Sequence, residues 1–161
     1  FLMLDLQQEI KTWINEWVSV FNKKLDTVPC PFAKQAMIND TIEYIKTERI
    51  SESLQWLVEN WNNENEVVVL YTDTLLYTPE EVSNIVQKFN QLAMPLGLVA
   101  LEDHPMDKET INGVTMNFGK AILVLVQKLS KINKASSMLK KQGYYKNWSQ
   151  NDLDDVVNWR N

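Results

Sequence analysis

Apolar residues recur at helical spacing at the start of the chain. Between Leu6 and Leu25 they return every three or four positions, with polar residues between them, a pattern typical of a helix with one buried face. Pro29 and Pro31 cannot sit inside a helix. This N-terminal amphipathic helix is therefore expected to end near Asp26.

Two further helices are predicted from their first turns. Proline favours the first helical position, so Pro31 predicts a short helix through residues 32–37 with Cys30 as its N-cap. Residues 78–81 combine a threonine cap, a proline and a capping-box glutamate. They predict a helix that runs to about Ala93.

Three segments have the β-branched and aromatic residues of strands. They cover residues 41–46, 67–71 and 98–101. The first alternates polar and apolar residues and is expected near a sheet edge, whereas the second is continuously apolar and is expected at the centre. Helices that begin at Ser51 and Pro79 separate the strands. This alternation of strands and helices predicts parallel pairing.

The segment from Lys120 to Gly143 is compatible with two structures. Its apolar residues keep helical spacing, which favours one long helix, but residues 122–126 also have the composition of a buried strand that would lead into a shorter helix. Ser149 and Asp152 then predict the capping box of a short terminal helix.

Together these elements predict an α/β fold. We expect a three- to four-stranded, mainly parallel sheet flanked by helices, with an N-terminal amphipathic helix and a helical C-terminal extension. The 161 residues suit a single domain spanning 1–161, and a hydrophobic content of 45% is enough for one core.

Charge and cysteine content narrow the choice of partners. A net charge of −5 argues against nucleic acid, because nonspecific affinity for phosphates comes mainly from Lys and Arg. The single cysteine excludes an internal disulfide, and no run of about 18 apolar residues suggests a membrane span. These features favour a cytoplasmic protein without nucleic-acid or membrane partners.

Charged and polar residues follow each predicted strand. Arg49, Asp73, Asp103 and His104 come after successive strands, and ligands of parallel α/β sheets bind at the carboxyl ends of strands. His104, Asp103 and Asp73 are a candidate set for a divalent metal, and His104 with Asp103 for acid/base catalysis. Arg49 and Asp73 are candidate ligand-binding residues. Alternatively, these residues simply occupy solvent-exposed loops.

Cys30 is a second candidate for chemistry. Backbone N–H groups at a helix N-terminus lower the pKa of a thiol, so Cys30 is a candidate nucleophile with His104 as its base. The alternative is an inert packing role, because free cysteines are commonly buried.

Aromatic residues in the C-terminal region suggest a contact surface. Tyr145 and Trp148, beside Tyr144, lie in a predicted loop. They are candidates for covering a ligand pocket or for forming a subunit contact.

The chain resembles the bacterial domain of unknown function 1415 over most of its length. The resemblance lies in the Cys-Pro-Phe-Ala sequence at 30–33, the His104-Pro105 pair after a strand, and an asparagine-containing segment before the apolar stretch through Leu129. The chain departs from that pattern at residues 71–73, where the family often has histidine and proline. The resemblance indicates Cys30 and His104 as candidate functional residues, but it implies no particular activity.

Two functional hypotheses follow. One is a small enzyme or metal-binding protein that acts on a small molecule through acids and His104 at the strand edge, with Cys30 nearby. The alternative is a noncatalytic module for protein interaction or homo-oligomeric self-association, built on the C-terminal aromatic residues.

Overall fold

The computed structural model describes residues 5–161. The α-helices are Leu6–Trp13 (α1), Pro31–Ile38 (α2), Ile50–Glu59 (α3), Pro79–Ala93 (α4), Leu129–Lys141 (α5) and Gln150–Val156 (α6). The strands are Ile42–Lys46 (β1), Val67–Thr72 (β2), Leu98–Asp103 (β3), Thr110–Ile111 (β4), Val114–Thr115 (β5) and Ile122–Lys128 (β6). A π-helical turn, Ile14–Val18, continues α1.

The main sheet is mixed, so the prediction of a mainly parallel sheet is wrong. Its strand order is β1-β2-β6-β3. β1 and β2 pair parallel, whereas β6 lies between β2 and β3 and pairs antiparallel with both. β1, β2 and β3 therefore point in the same direction, but β6 separates β2 from β3.

The long helix favoured for residues 120–143 is replaced by strand β6 and helix α5. Ile122, Leu123, Val124 and Val126 are all buried, because β6 has a neighbouring strand on each side and is covered on both faces. The rival interpretation of a strand followed by a shorter helix is the correct one. Helical spacing misled because a fully buried strand is apolar at every position.

The N-terminal helical segment ends at Val18, not near Asp26. Asn22 and Thr27 form an isolated antiparallel bridge, and Asp26 adopts a positive φ of 57° within the turn that they close. Leu25, which continued the apolar spacing, packs against the β4–β5 hairpin instead.

Several local signals are confirmed. Thr78 and Glu81 form a reciprocal capping box at the start of α4, and Cys30 is the N-cap of α2. β1 is an edge strand and β2 an interior strand. The capping box predicted at Ser149 is confirmed in part: Ser149 accepts a hydrogen bond from the backbone N–H of Asp152, but the reciprocal bond to the Asp152 side chain is not formed.

The two faces of the sheet are covered differently. On the face that we call the crossover face, α3 and α4 pack over alternate strand residues such as Leu70 and Val124. On the opposite face, α1, its π-helical turn and α2 pack over the intervening residues, including Val69 and Leu123. This period-2 alternation places the side chains of each strand on both layers of core.

Candidate ligand-binding cavity

A cavity of about 250 Å³ lies on the face of the sheet opposite the crossover helices. We call this face the cavity face. Val69, Leu123 and Leu125 contribute the sheet side of the cavity. The remaining wall comes from α1 and its π-helical turn, α2, the β4–β5 hairpin and the segment that follows β6. Its lining is predominantly apolar, which favours an apolar occupant.

Three aromatic side chains close the C-terminal side of the cavity. Tyr145 packs edge-on against Tyr144 and Trp148, with ring centroids 4.9 Å apart in both pairs. The Tyr144 hydroxyl lies 2.6 Å from the carbonyl oxygen of Pro29 and 3.0 Å from that of Val28. The C-terminal segment is thus tied to the chain just before α2. Tyr145 is buried and the other two rings are partly buried, so this cluster faces the interior more than a partner.

Cys30 lines the cavity at the start of α2. Its side chain makes no capping hydrogen bond. Burial raises the pKa of the thiol, and the backbone N–H groups of Ala33 and Phe32 lower it by less. The net direction is opposite to that expected from a helix N-terminus alone, because the apolar surroundings disfavour the thiolate.

His104 is 2% exposed, and both of its ring nitrogens are hydrogen-bonded. Nδ1 accepts from the backbone N–H of Met106 at 3.1 Å, so Nε2 carries the proton that is donated to the carbonyl oxygen of Tyr77 at 2.7 Å. The imidazole therefore joins the end of β3 to the loop before α4. It has no nitrogen free for a metal or a substrate in this arrangement.

Asp103 is the last residue of β3 and His104 follows it, and their side chains bond to different segments of the chain. The Asp103 carboxylate accepts hydrogen bonds from the backbone N–H of Phe118 at 3.0 Å and from Nδ2 of Asn117 at 2.7 Å. Burial raises its pKa despite these bonds and the nearby imidazole. Asn117 also accepts from the backbone N–H of Glu109 at 2.7 Å. This network holds the loop that carries the β4–β5 hairpin.

The other strand-edge residues have separate local roles. Asp73 accepts a hydrogen bond from the backbone N–H of Leu75 at 2.8 Å and caps a short 3-10 turn. Arg49 lies in a shallow surface depression and pairs with Glu52 at 3.3 Å, where both side chains are largely exposed. Neither residue lines the cavity.

The predicted residues therefore separate into two groups. Cys30, Tyr145 and Trp148 meet at the cavity, whereas Arg49, Asp73, Asp103 and His104 do not line it. Across residues 5–161, no group of three or more histidine, cysteine or acidic side chains is arranged to hold a metal ion.

Two charged cavity residues were missed from the sequence. Glu109 lines the cavity next to the β4–β5 hairpin, and the residue as a whole is largely exposed. The pKa of its carboxyl is raised mainly by partial burial and to a smaller extent by the negative charges of nearby acids. Arg160 lies in the 3-10 turn Asn158–Arg160 and is 5% exposed. The sequence did contain a signal that Arg160 is buried: it lies four residues after Val156, which places it on the apolar side of the terminal helical pattern.

No family model, curated protein or solved structure matches the chain, so the family resemblance stays a prediction. None of the helices in the described part of the chain is long and apolar enough to cross a membrane.

Proposed function

We propose that the protein binds a small, largely apolar molecule in the cavity between the sheet and the segments that cover its cavity face. The observation that carries this proposal is an apolar space of about 250 Å³ built from several separate chain segments. Protein interiors are normally packed with few voids larger than a water molecule. An apolar cavity of about 150 Å³ is already enough to bind benzene.

The volume limits the size of the ligand. Scaling the six carbon atoms of benzene by the ratio of 250 to 150 Å³ gives about ten non-hydrogen atoms. A straight-chain or aromatic molecule of that size buries most of its surface in such a space, and burial of each methylene contributes about 0.8 kcal/mol.

Binding at this site has more support than chemistry at the strand edge. The ring nitrogens of His104 are both engaged, and Asp103 holds a loop through Asn117 and Phe118. The self-association hypothesis also has less support, because Tyr145 and its aromatic neighbours pack against one another at the cavity.

The test uses 1-octanol as a neutral probe and Cys30 as the reporter. Cys30 is the only cysteine in the chain and lines the cavity. We expect 1-octanol to raise the thermal midpoint and to slow alkylation of Cys30 by iodoacetamide at pH 8.5. Stabilisation follows because the ligand binds the folded state alone.

A cavity-filling variant locates the effect. Ala33→Phe places a phenyl ring in the cavity wall and is expected to abolish both responses to 1-octanol. Gln35→Phe adds the same ring to the exposed side of α2 and is expected to retain them. The proposal is wrong if the wild type shows neither response, or if Ala33→Phe responds as the wild type does.

A further inference from the structure

Arg160 is an unusual component of an apolar cavity wall. The residue is 5% exposed and lines the cavity. Its Nη2 donates to Oγ of Ser136 at 3.2 Å, but Nε and Nη1 are buried and have no hydrogen-bond partner among residues 5–161. A guanidinium has five N–H donors and stays charged in proteins. Leaving these donors unpaired in a buried position is energetically costly.

The charge of Arg160 is not balanced by an acid in the described part of the chain. The ion pairs found there join Arg49 to Glu52 and Lys120 to Glu9. The pKa of Arg160 is lowered by burial, and the groups that oppose this shift are Tyr145 and Cys30. Burial raises the pKa of both of these groups, so they are neutral near pH 7.

Glu109 does not supply the missing negative charge. It lines the same cavity, but the charges that act on its pKa are all acidic and belong to the end of β3, the loop that follows it and α6. An arginine close enough to pair with it would lower that pKa.

The backbone around Arg160 is held in place by α5. Asn133 donates a hydrogen bond to the carbonyl oxygen of Arg160 at 3.1 Å, and Ser136, one turn later, accepts from its guanidinium. The guanidinium is therefore attached to α5, the helix that directly follows strand β6. Nε and Nη1 have almost no exposed surface, so a head group would have to displace a neighbouring side chain to reach them. Side-chain rotamer changes of this kind are common on binding.

Building on the proposed function, we infer that the ligand is a monocarboxylate with an apolar tail, whose carboxylate pairs with Arg160. A carboxylate matches the planar donor pair of a guanidinium and carries one negative charge. Arg160 is the single Lys or Arg among the described residues of the lining, so one cation balances one carboxylate. The apolar remainder of the cavity accommodates the tail.

The experiment compares head groups on the same eight-carbon chain. Calorimetric titrations at pH 7 use octanoate, octanamide and octylammonium. We expect the wild type to bind octanoate about tenfold to a hundredfold more tightly than octanamide, as expected for a charge-assisted hydrogen bond. Octylammonium is expected to bind most weakly, because it places a second positive charge beside Arg160.

Variants test whether Arg160 carries the preference. Arg160→Leu is expected to bind octanoate less tightly than octanamide, because the carboxylate would then be buried without a partner in an apolar cavity. Arg160→Lys should recover part of the preference for octanoate. Arg49→Leu removes the same charge from an exposed position and is expected to behave as the wild type. Protection of Cys30 from alkylation confirms that each probe occupies the cavity.

The outcomes separate the two proposals. If octanamide and 1-octanol bind but octanoate binds no more tightly, the head-group inference is overturned and the proposed function stands. If Arg160→Leu is folded and keeps the preference, the inference is again overturned. If no eight-carbon probe binds, both proposals fail. The wild-type comparison remains decisive even if Arg160→Leu does not fold.

Discussion

The crossover face and the cavity face share one sheet but are packed to different degrees. On the crossover face, α3 and α4 are connections between strands, and their apolar sides meet the sheet in a continuous cluster of buried residues. On the cavity face, the cover comes from chain segments before β1 and after β3, and a cavity remains between them. Regular helices can fill one face of a sheet, whereas several short segments leave space for a ligand.

The largest expected difference between the faces comes from matched leucine truncations. Leu70 is 1% exposed in the crossover-face core, whereas Leu125 borders the cavity from the adjacent strand. We expect Leu70→Ala to lower the free energy of unfolding by about 3 kcal/mol and Leu125→Ala by about half as much. The second effect is smaller because Leu125 already lacks packing partners on its cavity side.

Urea denaturation of both variants measures this difference. Equal losses would show that the cavity face is packed as tightly as the crossover face, and would remove the basis of the comparison. Octanoate is expected to stabilise Leu70→Ala as it does the wild type, which separates an effect on folding from an effect on binding.

A second prediction concerns a buried polar contact on the crossover face. β3 is an edge strand, and Asn90 of α4 bonds to both backbone groups of Ala100 on it. Oδ1 accepts from the N–H at 2.8 Å and Nδ2 donates to the carbonyl at 3.0 Å. Asn90→Leu leaves both groups unpaired and is expected to cost about 2 kcal/mol or more.

Asn84 provides the control for this substitution. It lies on the exposed side of the same helix, so Asn84→Leu is expected to change the free energy of unfolding by less than about 0.5 kcal/mol. Similar losses for both variants would show that the edge contact does not contribute to stability.

The smallest predicted effect is a pH dependence that belongs to the cavity face. Burial raises the pKa of Cys30 above its ordinary value of 9.0, so the unfolded chain loses the thiol proton at a lower pH than the folded protein. The contribution of the neutral Cys30 thiol to the free energy of unfolding is fully present below pH 9, and it is lost as the pH rises through the pKa of the folded state. The slope is at most about 1.4 kcal/mol per pH unit for this group.

Denaturation of the wild type and of Cys30→Ala between pH 7 and pH 10.5 checks this sign. The wild type should lose stability more steeply than the variant above pH 9. Parallel curves would mean that Cys30 ionises equally readily in both states. Burial also raises the pKa of Tyr44 to about 12, but this group is present in both proteins and does not affect the comparison.

Local sequence signals predicted much of the secondary structure. The capping box at Thr78, the proline at the start of α2 and the apolar run of β2 act through neighbouring residues. For that reason they could be recognised without the fold. Residues 122–128 could not be assigned in this way, because a buried strand and a buried helix segment have the same composition.

The candidate site was predicted only in part. Cys30, Tyr145 and Trp148 were recognised as chemically distinctive, and the structure places them at one cavity. Their grouping depends on contacts between distant segments, such as the approach of Tyr144 to Val28 and Pro29. His104 and Asp103 looked equally distinctive, but His104 is bonded to Tyr77 and Asp103 to Asn117 and Phe118, and neither lines the cavity.

The sequence by itself determined the α/β class, the start of α4 and the interior position of β2, because these follow from backbone preferences and local hydrophobic pattern. The tertiary structure alone decided that β6 enters between β2 and β3, that a cavity remains on one face, and that Arg160 is buried beside it. These features depend on which distant side chains compete for the same space. A sequence pattern does not record that competition.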